Sequence, residues 1–118
     1  MSADHRRIIA AYTEAWNAPD PAASRAKLNG VWRADSAYVD PTVLVTGIDN
    51  LIEHIFRVQV RRPGSRIVMT SEIEAHHDVL RFNWQRVKAD GSLVVAGIDI
   101  AIIENGYILR MIGFFDQA

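Results

Sequence analysis

The stretch LVVAGIDIAII, from Leu93 to Ile103, does most to limit what this chain can become. It falls well short of the ~20 apolar residues that a membrane-spanning helix needs, and Asp99 interrupts it. As a strand it sets Val95, Gly97, Asp99, Ala101 and Ile103 on one face and Val94, Ala96, Ile98, Ile100 and Ile102 on the other. Apart from Asp99 both faces are apolar, so both need cover. Helices can supply it on one side; a second copy of the chain supplies it most simply on the other. The expectation is a homodimer built through the outer sheet face.

The neighbouring segments give the strand its context. Ile67 to His77, Val79 to Lys88 and Tyr107 to Phe115 are also strand-like, separated by HisHisAsp (76 to 78), AlaAspGly (89 to 91) and AsnGly (105 and 106). In the second of them Leu80, Phe82 and Trp84 alternate with Arg81, Asn83 and Gln85, which turns the apolar set toward the helices. The first half of the chain is different. Ile8, Ile9, Tyr12, Ala15 and Trp16 recur at helical spacing between Ala3 and Asn17. Asp20 followed by Pro21 caps a second helix running toward Trp32, and AYVDP (37 to 41) reads as a short strand. ThrGly at 46 and 47 opens a third helix with Leu51, Ile52, Ile55 and Phe56 on one side, closed by RPGSR (62 to 66). Helices followed by an antiparallel meander predict an α+β fold.

Charge and composition narrow the partners. With 13 Lys+Arg against 14 Asp+Glu the formal net charge is −1, which gives no reason to expect nucleic acid or an anionic membrane. The absence of cysteine excludes disulfides and cysteine-bound zinc. HExxH, a Gly-rich phosphate loop and GxSxG are also missing, which argues against zinc protease, nucleotide and serine-hydrolase chemistry. The opening MSADHRRIIAAY has no long apolar stretch before a cleavage site, so a cytoplasmic location is expected. The length of 118 residues suits one domain spanning 1–118. Small molecules or other proteins are the expected partners.

Asp99 is the most informative single residue. A lone carboxyl inside VVAGIDIAII loses hydration, which disfavours its charged form. It is either a neutral donor in a pocket or a structural aspartate bonded to a backbone amide or a partner subunit. Gly97 and Ala101 on the same face are small and leave room for a ligand. Tyr12 on the first helical stripe reads first as a core aromatic, and Asp40 before Pro41 reads first as an aspartate bonding its own turn. His5 and His54 read as solvated helix residues. Arg57, Arg61, Arg62 and Arg66 read as a solvated basic edge, able to meet an anionic group at the mouth of a cavity.

Taken together in order, IIAAYTEAWNAPD, AYVDPTVLVTG and VVAGIDIAII resemble stretches of the ketosteroid isomerases. More broadly, nearly the whole chain, including the ending YILRMIGFFD, resembles the nuclear transport factor 2-like, SnoaL-like superfamily. The resemblance implies a cone-shaped, cystatin-like α+β barrel in which three N-terminal helices pack inside a curved antiparallel sheet round a cavity. It also implies Asp40 as a proton-shuttling base, with Tyr12 and neutral Asp99 as donors to an oxyanion, an arrangement suited to removing a proton beside a carbonyl. On the same alignment Trp16, Phe56, Leu80, Phe82, Trp84, Ala101, Met111 and Phe115 line the cavity, although such a set is also what plain core looks like. The chain departs from the isomerases in having Ile55 and Phe56 where they carry a supporting tyrosine, and in a shorter segment from Asp40 to Gly47. Two other activities fit the superfamily: polyketide cyclase, and a dehydratase in which His76 or His77 serves as a cavity histidine. A purely ligand- or protein-binding role is a further alternative.

Overall fold

The computed structural model describes residues 3–115. Helix α1 (Ala3–Trp16) buries Ile8, Ile9, Tyr12, Ala15 and Trp16, the stripe its spacing predicts. Helix α2 (Pro21–Leu28) is capped by Asp20, whose side chain accepts from the Ala23 amide at 2.8 Å. It stops short of Trp32, because Gly30 takes a left-handed φ of +88° that ends the turn and lets strand β1 (Trp32–Asp40) begin. A short strand β2 (Val43–Thr46), read in the sequence as a connection, hairpins back on β1 and leads into helix α3 (Ile48–Arg61).

The segment read as one strand from Ile67 to His77 is two, β3 (Arg66–Met69) and β4 (Glu74–His76), both antiparallel to β5 (Val79–Val87). Between them the Ser71 hydroxyl accepts from the Asn83 amide at 2.8 Å, a side chain standing in for the ladder. His77 and Asp78 form the following turn with φ of 49° and 62°, the positive pair a two-residue hairpin needs. Strands β6 (Leu93–Glu104) and β7 (Tyr107–Phe115) complete the chain.

The seven strands run β2-β1-β7-β6-β5-β3, with β4 also on β5. The sheet is mixed and does not close: the meander β5 to β7 is antiparallel, but β1 pairs β7 in parallel. That pairing joins the first strand to the last and brings Tyr38 and Asp40 beside the inner face of β7. The helices pack on this face, where Tyr38, Leu80, Phe82, Trp84, Ala101 and Met111 meet the stripes of α1 and α3. The other face is left partly open in the single chain, with Ile98 40% and Phe114 57% exposed. Among the described residues, no helix is long and apolar enough to cross a membrane.

Candidate active site

The end of β1 builds one half of the site. Tyr38 and Asp40 are two residues apart and so share a face, and the Tyr38 hydroxyl donates to Asp40 Oδ2 at 2.6 Å. The turn beyond the strand engages the other oxygen: Asp40 Oδ1 accepts from the Thr42 amide and hydroxyl, each at 2.7 Å, and from the Val43 amide at 3.1 Å. His54 brings Nε2 to 3.6 Å from Asp40 Oδ2, both side chains almost fully buried. Burial alone raises the Asp40 pKa, but bonds from His54, Tyr38 and Thr42 outweigh it and hold the carboxyl far below the ordinary range. Asp40 is a fixed negative charge.

The middle of β6 builds the other half. Asp99 Oδ1 accepts from the Trp84 indole N–H at 2.9 Å, a bond between neighbouring strands. Burial pushes its pKa up to about 7; the Trp84 bond opposes this rise and the charge of Asp40 adds to it. Below that pH, Asp99 is a neutral carboxylic acid able to donate. The space beside Gly97 that seemed open for a ligand is filled by the Trp84 indole: a Cβ on Gly97 would lie 2.7 Å from the ring's Cε2. Gly113 stands between the two carboxyls, since a Cβ there would come within 3.1 Å of Asp99 Oδ1 and 3.5 Å of Asp40 Cβ.

Both halves open on a cavity of about 500 Å³, in the size range of small-ligand sites. Tyr12, Asp40 and Asp99 all line it. The Tyr12 hydroxyl is buried with no hydrogen-bond partner among the described residues. Burial and then the charge of Asp99 raise its pKa well above the usual value, so it stays protonated; the Trp16 side chain acts in the opposite sense without reaching hydrogen-bonding geometry. Such an orphan donor is costly unless a ligand supplies the acceptor.

Four of the expected lining residues, Trp16, Phe82, Trp84 and Phe115, do line the cavity. Leu80, Ala101 and Met111 are fully buried core, and Phe56 is half-buried against that core, away from the cavity. His76 and His77 lie at an exposed turn and do not line it either. His54 is the main correction: it is 2% exposed, with Nδ1 unpartnered among the described residues. A signal for it existed, because His54 lies three residues after Leu51 and four before Val58, on the buried stripe. Its ring and Tyr38 surround Asp40, a network different from the isomerases' supporting tyrosine, whose place Ile55 and Phe56 take here. Arg86 was also missed, although it continues the inward alternation of Leu80, Phe82 and Trp84. Arg61 and Arg62, read as a solvated edge, line the cavity too. No group of three or more His, Cys, Asp or Glu able to hold a metal ion occurs among the described residues.

No family model and no curated protein sequence matches the chain. Solved structures do. A provisionally assigned isomerase of the SnoaL-like family from Agrobacterium tumefaciens superposes with a TM-score of 0.90 at 28% identity, covering 98% of this chain and 100% of that one. The chain belongs to the SnoaL-like, nuclear transport factor 2-like superfamily. Within it, a provisionally assigned SnoaL-like polyketide cyclase from Jannaschia matches at a TM-score of 0.76 and 16% identity, over 96% of this chain and 85% of that one. A protein of ketosteroid isomerase-like fold from Catenulispora acidiphila, in complex with trimethylamine, matches at 0.75 and 16%, over 92% and 85%. These neighbours share the α+β fold described above.

Proposed function

We propose that this SnoaL-like protein is a cofactor-independent acid/base enzyme acting on a small hydrophobic carbonyl compound. The observation that carries the reading is the convergence on one cavity of two carboxyls whose surroundings shift them in opposite directions and an unpartnered buried hydroxyl. In this reading Tyr12 and neutral Asp99 donate to the carbonyl oxygen, stabilising the charge that builds there as the neighbouring C–H is broken. Asp40 supplies the negative charge on the opposite side. Because four donors already engage Asp40, the proton is better accepted by the imidazole of His54, which Asp40 orients and stabilises as it becomes charged. The base assigned to Asp40 by resemblance thus becomes an Asp40–His54 pair.

Isomerisation of a β,γ-unsaturated 3-ketosteroid, followed by the absorbance of its conjugated product, is the sharpest test. The expected result is a wild-type rate that falls by roughly 10²–10⁴ in His54→Gln and in Asp40→Asn. Absence of any wild-type rate removes the steroid version. The His54–Asp40 pair with a neutral acid opposite also suits elimination or ring closure, so a cyclase or dehydratase is then the leading reading, with a binding role behind it.

The outer face of β6 and β7, where Ile98 pairs Phe114, is proposed to be covered by a second copy of the chain. Light scattering should give a dimer mass, and Ile98→Glu should lower it to that of the monomer.

A further inference from the structure

Arg86 is the fourth inward-facing residue of β5, after Leu80, Phe82 and Trp84, and only 4% of it is exposed. Its Nη1 donates to Ser65 Oγ at 2.8 Å, and its guanidinium carbon lies 5.9 Å from the centre of the Trp16 ring. No Asp or Glu among the described residues forms an ion pair with it. Burial depresses its basicity; Tyr38 acts against this, and nearby Arg62, of the same sign, acts with it. A guanidinium taken out of water without a counter-ion is expensive. Yet Arg86 lines the cavity, and its hydrogen bond to Ser65 uses Nη1, which leaves Nε and Nη2, the fork that fits a carboxylate, without a hydrogen bond to any described residue.

The cavity mouth extends this charge. Arg61 and Arg62 line the cavity and also a shallower adjoining cleft, which they share with Lys88 and Asp90. Asp90 is bonded by the Ser92 amide and hydroxyl, and neither Arg61 nor Arg62 has an acidic partner among the described residues. In a chain of net charge −1 these cations are concentrated at one opening. An opening of this kind raises the local concentration of an anion.

We propose that the cavity takes a hydrophobic ring carboxylic acid, whose carboxylate is bound by the Nε–Nη2 edge of Arg86 after being drawn in by Arg61 and Arg62. The ring lies along Trp16, and the far end of the molecule meets Tyr12 and Asp99. This substrate class rests on the reading of the cavity as a substrate site.

Isothermal titration with 2-naphthoate and its neutral counterpart 2-naphthamide tests the proposal without requiring turnover. The acid should bind the wild type at least about tenfold more tightly than the amide. Arg86→Met should abolish that preference, Arg86→Lys should keep part of it, and the double variant Arg61→Gln/Arg62→Gln should weaken the acid several-fold while leaving the amide unchanged. No binding of the acid by the wild type, equal binding of acid and amide, or an undiminished preference in Arg86→Met would each overturn the proposal. If Arg86→Met does not fold, the wild-type preference and its reduction in Arg86→Lys decide the question. A preference for the acid in a protein that moves no proton would sink the enzymatic reading alone; catalysis without the preference would sink this inference alone.

Discussion

The two aspartates of the cavity end up as opposites, Asp40 a half-buried residue at the end of a strand and Asp99 a buried one in the middle of another. Asp40 closes a strand, where the next turn offers two free amides and a hydroxyl, and where Tyr38 and His54 reach its second oxygen. Asp99 lies in mid-strand, where the backbone amides are already spent in the ladder and one indole N–H is the donor left. The difference teaches that position along a strand, by setting both the depth of burial and the donors within reach, decides whether a carboxyl is a charge or an acid. The chain thereby obtains an anion and a neutral donor from the same residue type on β1 and β6, the strands on either side of β7.

The sharpest way to break the contrast is through stability against pH. For Asp99, whose folded pKa of about 7 lies above the ~3.9 of an unfolded chain, stability is full below pH ~4, falls as the unfolded state ionises, and reaches its floor above about 7. At about 1.4 kcal/mol per pH unit the loss amounts to about 4 kcal/mol. Asp40 has the reverse sign: its depressed pKa contributes stability above pH ~4 that is lost as pH falls. Urea unfolding should therefore find Asp99→Asn flat between pH 4 and 7, where the wild type loses stability, with the acid limb unchanged. Equal slopes in the two proteins would remove the neutral-acid assignment.

A smaller effect should follow at Gly97, whose missing side chain lets the Trp84 indole lie across β6 and reach Asp99. A Cβ there would crowd the indole and come 2.7 Å from the Phe114 carbonyl oxygen, so Gly97→Ala should cost about 1–3 kcal/mol in denaturant unfolding. An unchanged midpoint would mean that the indole sits elsewhere. A further test is Trp84→Phe, which deletes the donor together with part of the buried ring and is read at Asp99 by carboxyl NMR. Losing the donor should raise the Asp99 pKa by about one pH unit, the equivalent of ~1.4 kcal/mol.

Much of this contrast was legible in the sequence. The α1 stripe, the two faces of β6 and the inward set of β5 follow from spacing alone, and motif order picked out Tyr12, Asp40 and Asp99, which do share the cavity. The rest was hidden for physical reasons. The parallel β1–β7 pair joins segments some 70 residues apart, as the Ala37–Arg110 register shows, and no local pattern announces it. His54 and Arg86 are polar residues on buried stripes, where the periodicity marks the position but the residue type points to solvent. Gly97 was read as room for a ligand because the reach of an indole from the next strand is a property of packing.

Carboxyl-carbon NMR titration of the wild type, assigned by Asp40→Asn and Asp99→Asn, tests the central claim most directly. The account predicts that Asp99 titrates near pH 7 and that Asp40 stays ionised throughout the normal carboxylate range. Two carboxyls titrating together near pH ~4, the value for a solvated aspartate, would contradict it.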